Sequence, residues 1–121
     1  MSKAQKLISG IFALVFALAI APTASFAATN YGLSVNGEHF TSEKLTIQCG
    51  EGTATYDPDA QNLTLNNASI TNAVDYGGID SELTSDLTIT LQGSNQITFN
   101  DNIGIMATRN VIFHGSGSLA I

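Results

Sequence analysis

The sequence predicts an all-β chain wound as a parallel β-helix of about 24 residues per coil, and two observations carry that expectation. The first is alternation. Leu45-Thr-Ile47, Leu63-Thr-Leu65, Leu87-Thr-Ile89-Thr-Leu91 and Val111-Ile-Phe113 are short runs of apolar residues, the first three alternating with Thr, and no helical apolar period follows residue 28. Alternation sends side chains to opposite faces of a strand, so Leu, Ile, Val and Phe are expected inward and Thr outward. The second is spacing: Asn62, Asp86 and Asn110 lie 24 residues apart, each directly before one of these runs. The last interval also matches Ile79 with Ile103, Gly93 with Gly117, Ser94 with Ser118 and Ile97 with Ile121.

An internal repeat of this length, with Gly, Asn and Ser turns between short strands, suits one coil stacked on the next. Equivalent side chains would then form ladders about 4.8 Å apart. Leu65, Ile89 and Phe113 are the expected buried column, with Asn62, Asp86 and Asn110 at a corner where short polar side chains tolerate left-handed backbone. An antiparallel sandwich also has short strands and frequent turns. Its hairpins give no reason for a fixed 24-residue register.

The N-terminus reads as an export signal. Lys3 and Lys6 precede an apolar run from Leu7 to Ala21, then Pro22 and the small residues Ala24-Ser25-Phe26-Ala27-Ala28. That order is charged, apolar, small. The run is shorter than the roughly 20 residues that cross a bilayer. Cleavage after Ala27 is expected, dividing the chain into a signal peptide at 1–27, an N-terminal β segment at 28–61 and the β-helix coils at 62–121. The location that follows is secreted or at a bacterial cell surface, with no membrane partner once the signal is removed.

Removal of the signal leaves Lys44 and Arg109 as the strongly basic side chains against ten Asp and Glu, a net charge near −8. Such a chain repels phosphate backbones and anionic head groups, which excludes nucleic acid as a natural partner. A neutral glycan is compatible with it, whereas a polyanionic glycan needs a bridging cation, for which calcium is the natural choice. Cys49 is the sole cysteine and cannot form an internal disulfide. With no basic neighbour in sequence it reads as a buried thiol.

Tyr31-Gly-Leu-Ser-Val-Asn-Gly37, Ala54-Thr-Tyr56-Asp57-Pro58 and Asn62-Leu-Thr-Leu-Asn-Asn-Ala-Ser-Ile70 resemble the opening of secreted bacterial carbohydrate-binding β-helix proteins. Gly78-Ile79, Asp86-Leu-Thr-Ile-Thr-Leu-Gln-Gly-Ser-Asn95 and Asn110-Val-Ile-Phe-His-Gly-Ser-Gly-Ser-Leu119 resemble their repeating coil. The resemblance implies a right-handed helix that binds plant or bacterial polysaccharide of the cellulose or polygalacturonate type, with calcium as a candidate cofactor. Such proteins carry many more coils, and the pattern here stops at Ile121 in mid-strand. A truncated product is therefore expected, with further coils or domains of a longer chain as partners.

Candidate sugar-binding residues are Tyr76, Asp80, Glu82 and Asp101 near the turns: a Tyr ring offers an apolar face, and carboxylates accept hydrogen bonds from hydroxyls. Asp80 and Asp101 are the candidate calcium ligands. Catalysis is not expected. A lyase needs a base among its acids, and only Arg109 lies near Asp75, Asp80, Glu82, Asp86 and Asp101. Phe113-His114-Gly115 faintly resembles the element of pectin hydrolases, but a hydrolase also needs paired carboxylates in matching context. His114 reads as an outward strand residue, His39 as a loop residue, and Asp57-Pro58 as a structural turn. The rivals to carbohydrate binding are a structural or adhesive module of a larger surface protein and the remnant of a polysaccharide lyase.

Export of the tagged chain from a bacterium should yield a mature N-terminus at Ala28, read by N-terminal sequencing. Retention of residues 1–27 on an exported chain would identify an anchor instead.

Overall fold

The computed structural model describes residues 27–73, 76–99 and 102–121. Residues 1–26 of the expected signal, together with Asp75 and Asp101, lie outside the described residues. Among the described residues there are twelve strands and no helix. They are β1 (Asn30–Val35), β2 (Glu38–Thr41), β3 (Thr46–Cys49), β4 (Gly52–Asp57), β5 (Asn62–Asn66), β6 (Ser69–Ile70), β7 (Gly77–Ser81), β8 (Leu87–Gln92), β9 (Ser94–Ile97), β10 (Ile103–Ala107), β11 (Val111–His114) and β12 (Ser118–Ala120).

The expected right-handed parallel β-helix is overturned. The strands divide among three separate sheets, ordered β10-β7-β1-β2, β11-β8-β5-β4-β3 and β12-β9-β6, and two of the three are mixed. β1 is antiparallel to both β2 and β7, and β4 is antiparallel to both β3 and β5. Turn chemistry is the reason. Asn36 and Gly37 have φ of 53° and 81°, the left-handed pair that joins two antiparallel strands through a two-residue turn. Gly50, at φ 64°, turns β3 into β4. Connections this short cannot carry a strand back to a parallel start, which takes a dozen residues or more.

The turn between β4 and β5 is structural, as its sequence suggests. Asp57 Oδ1 accepts hydrogen bonds from the amides of Asp59 (3.0 Å) and Ala60 (3.3 Å), an aspartate folding its own loop. The left-handed residue there is Gln61, at φ 51°, and not Asn62 as a corner ladder would require.

The 24-residue spacing has a narrower meaning. It sets the parallel pairing of β8 with β11 and of β9 with β12, where Ile89 faces Phe113 and Ser94 faces Ser118, but not that of β7 with β10, where Ile79 faces Ile105 rather than the expected Ile103, an offset of 26. Between β5 and β8 the offset is again 26: Leu63 faces Ile89 and Leu65 faces Leu91. Leu65 therefore does not share a column with Ile89. Asp86 and Asn110 do remain linked, because the Asn110 amide donates to Asp86 Oδ1 at 3.2 Å. Asn62 instead accepts from the Thr90 hydroxyl at 2.8 Å.

One apolar core lies between the sheets. Leu33, Val35, Phe40, Ile47, Leu63, Leu65, Ile70, Ile79 and Ile89 are fully buried within it. Alternation produces this directly: along β8, Leu87, Ile89 and Leu91 are buried, while Thr88 and Thr90 are partly exposed. Phe113 departs from the expectation of burial, with 49% of its surface exposed. Its strand β11 is the edge of its sheet, so nothing stacks beyond it.

This difference between neighbours in one column is measurable. Ile89→Ala should cost about 2–5 kcal/mol in chemical denaturation, the usual range for a large-to-small core change. Phe113→Ala should cost clearly less than Ile89→Ala, and equal costs would contradict the exposed position of Phe113.

Candidate functional site

Two polar concavities are built by this framework. The smaller lies on the sheet of β2, β1 and β7. Ser34 in β1 is paired in register with His39 in β2 and with Asp80 in β7, so the three residues stand in one row across three strands. Ser34 and Asp80 are buried, and His39 is exposed. A register irregularity in β1 between Asn30 and Ser34 accompanies Gly32 at φ 80°, whose amide donates to Asn30 Oδ1 at 3.0 Å. The Gly32 carbonyl accepts from the Glu82 amide at 2.7 Å, which holds Glu82 beside the row. Together these residues line a notch of about 60 Å³.

Asp80 and Glu82, both expected at the site, thus share this notch. Tyr76 is exposed but stands four residues before Asp80, about 13 Å along an extended strand, and does not line it. Asp101 lies outside the described residues. His39 is a correction, since it belongs to strand β2 rather than to a loop.

The row is not a nucleophilic relay. Ser34 sits between His39 and Asp80, so their backbones stand two strand spacings apart, roughly 9–10 Å, and no hydrogen bond joins the His39 imidazole to the Asp80 carboxylate, the contact a relay needs. Arg109 is engaged elsewhere, its Nε donating to the Thr84 carbonyl at 3.3 Å.

Of the expected calcium pair only Asp80 is among the described residues, in the notch. Calcium takes 6–8 oxygen ligands. Among the described residues no three His, Cys, Asp or Glu side chains converge as a metal site.

The larger concavity is a groove of about 320 Å³ on the all-parallel sheet of β6, β9 and β12. It is lined by Asn67, Ser69, Ser94, Gln96 and Ser118 among others, with no ionisable side chain. Ser94 faces Ser118, and Ser69 faces Gln96, whose Nε2 donates to Ser69 Oγ at 3.5 Å. Two asparagines fix its floor. Asn67, at φ 51°, accepts from the Ser94 amide through Oδ1 at 3.1 Å. Buried Asn95 accepts from the Ala68 amide at 2.8 Å and donates to the carbonyls of Gln92 and Ser118, both at 3.2 Å. With its amide satisfied, Asn95 can be buried without an uncompensated polar cost.

The sequence reading missed this groove. Its signal was present, because Gly93-Ser94 and Gly117-Ser118 recur in register, but the pair reads equally well as a turn.

Cys49 is the remaining chemically distinctive group. It is fully buried, with Sγ 3.7 Å from the Ile47 carbonyl. Burial pushes its thiol up to about 11, and the charge of Glu38 adds to the shift. A thiol so protonated is a poor nucleophile near neutrality. Burial also raises the Tyr56 hydroxyl above its ordinary range, with Tyr31 and Asp57 contributing. Comparison of the chain with family models, curated proteins and solved structures finds no match.

Two outcomes are expected for Cys49. Thiol reagents at pH 8 should label it only after denaturation. The unfolded chain loses this proton near 9.0, whereas the folded chain holds it to about 11, so the unfolded state binds fewer protons between those values and stability falls as pH rises. A thermal melt series from pH 9 to 11 should show that fall, and Cys49→Ala should reduce its slope.

Proposed function

We propose that this chain is an exported, non-catalytic carbohydrate-binding module that takes a neutral polysaccharide along the β6, β9 and β12 groove. The observation that carries the reading is the chemistry of that groove: paired hydroxyl and amide side chains, and no ionisable group, in a chain with ten acidic residues. Hydroxyl and carboxamide groups both donate and accept, which matches the hydroxyls of a neutral sugar. The groove volume sits at the lower end of the roughly 300–1,000 Å³ usual for small-molecule sites. The Asp80 and Glu82 notch is several times smaller and admits a single protruding hydroxyl group rather than a ring.

Parallel strands repeat about every 4.8 Å, so Ser94 and Ser118 offer like groups at successive steps across the sheet. A polymer can be gripped at several such steps. A polyuronate meets the opposite conditions, since a net charge near −8 repels it.

The test is retention of the chain on cellulose and on polygalacturonate, each with calcium and with chelator. Cellulose should retain it equally in both conditions. Gln96→Ala with Ser118→Ala should weaken retention about fivefold or more, since each hydrogen bond contributes roughly 0.5–1.5 kcal/mol. Asp80→Asn should leave cellulose retention unchanged. Retention on polygalacturonate that appears with calcium and vanishes with chelator would replace the neutral-glycan reading with a bridged one. No retention on either polymer, with surface attachment preserved, would favour the adhesive module.

A further inference from the structure

The notch on the β2, β1 and β7 sheet holds charge that the chain itself does not answer. Ile79 enters the core, so alternation along β7 sends Asp80 to the outer face of the sheet. There it stands between Ser34 on β1 and Met106 on β10. Even so, Asp80 is only 8% exposed and Ser34 only 4%. Among the described residues neither the Asp80 carboxylate nor the Ser34 hydroxyl has a hydrogen-bond partner, and both residues line the notch. The side-chain polar atom that is wholly enclosed without a partner, among the described residues, is Ser85 Oγ. The polar atoms of Asp80 and Ser34 therefore open onto the notch.

A buried carboxylate is costly unless a positive group or several donors face it. Beyond the expected signal the strongly basic side chains are Lys44 and Arg109, and both are engaged elsewhere. Lys44 is paired with Glu38, and Arg109 Nε donates to the Thr84 carbonyl. Exposed Glu82 adds a second acidic side chain to the lining. Asn30 Oδ1 is taken by the Gly32 amide, and His39 stands in register with Ser34 rather than with Asp80.

We propose that this notch binds a protonated primary amine carried on an unbranched alkyl stem. An ammonium group donates three hydrogen bonds and accepts none, and the Asp80 carboxylate, the Ser34 hydroxyl and the Glu82 carboxylate are three acceptors. Calcium takes 6–8 oxygen ligands, whereas three acceptors saturate an ammonium. A volume of about 60 Å³ admits the ammonium head on a slender stem and excludes a trimethylated head. The net charge near −8 draws a dication more strongly than a monocation, which favours a free diamine over a single lysine side chain. None of this depends on what the β6, β9 and β12 groove takes.

The probe is butylammonium chloride, titrated into the isotope-labelled chain at neutral pH and constant ionic strength, with amide resonances followed by NMR. The Ser34, Asp80 and Glu82 amides should shift together and saturate. Tetramethylammonium, of equal charge but without an N–H, should leave them in place. Asp80→Asn should weaken butylammonium binding about tenfold or more, the usual weight of a hydrogen bond to a charged group. Without any amine, the same variant should melt at a higher temperature than the unaltered chain, because it removes an unanswered buried charge. Putrescine should bind more tightly than N-acetyl-lysine amide, and the reverse order would overturn the diamine in favour of a protein lysine. Absence of saturable shifts would overturn the proposal. So would equal shifts with tetramethylammonium, butylammonium binding that is unchanged in Asp80→Asn, or a lower melting temperature of that variant, which would reveal a partner for Asp80 within the chain.

Discussion

Asn36 is the point on which the three sheets depend. Its φ of 53° turns β1 into β2, and its own amide donates to the Gly78 carbonyl at 2.9 Å, joining the turn to β7. Its side chain reaches the other two sheets. Oδ1 accepts from the amides of Thr71 and Asn72, just beyond β6, and Nδ2 donates to the Gln48 carbonyl in β3. Asparagine is the side chain suited to this position, because it tolerates left-handed backbone and carries both a donor and an acceptor. Glycine would keep the turn and lose the three side-chain bonds.

The site residues inherit their positions from that framework. β1 can present Ser34 between His39 and Asp80 because it is antiparallel to strands on both sides. The groove has the opposite origin, an all-parallel sheet in which Ser94 and Ser118 fall opposite each other. Mixed pairing gathers unlike, ionisable residues into a small notch. Parallel pairing of a repeated segment gathers like, neutral residues into a larger groove.

Charge distribution joins site and edge. The acidic side chains repel one another, yet they are missing both from the groove lining and from the segment that forms β10, β11 and β12.

Strand positions were legible in the sequence. The alternating runs at 63–65, 87–91 and 111–113 fall within β5, β8 and β11, because period-two burial is a local property that a strand expresses wherever it pairs. The acidic charge and the isolation of Cys49 were legible for the same reason, as properties of composition. Pairing partners were not. The Asn36-Gly37 turn signal went unweighed beside the stronger 24-residue spacing, and a spacing cannot say that β5 meets β8 with an offset of 26. The tertiary structure decided that Ile89 stacks on Leu63, that His39 joins Ser34 and Asp80, and that Phe113 is exposed. Each of these depends on which strand lies across the sheet, and that is settled by turn geometry and a shared core acting together rather than by any local run of residues.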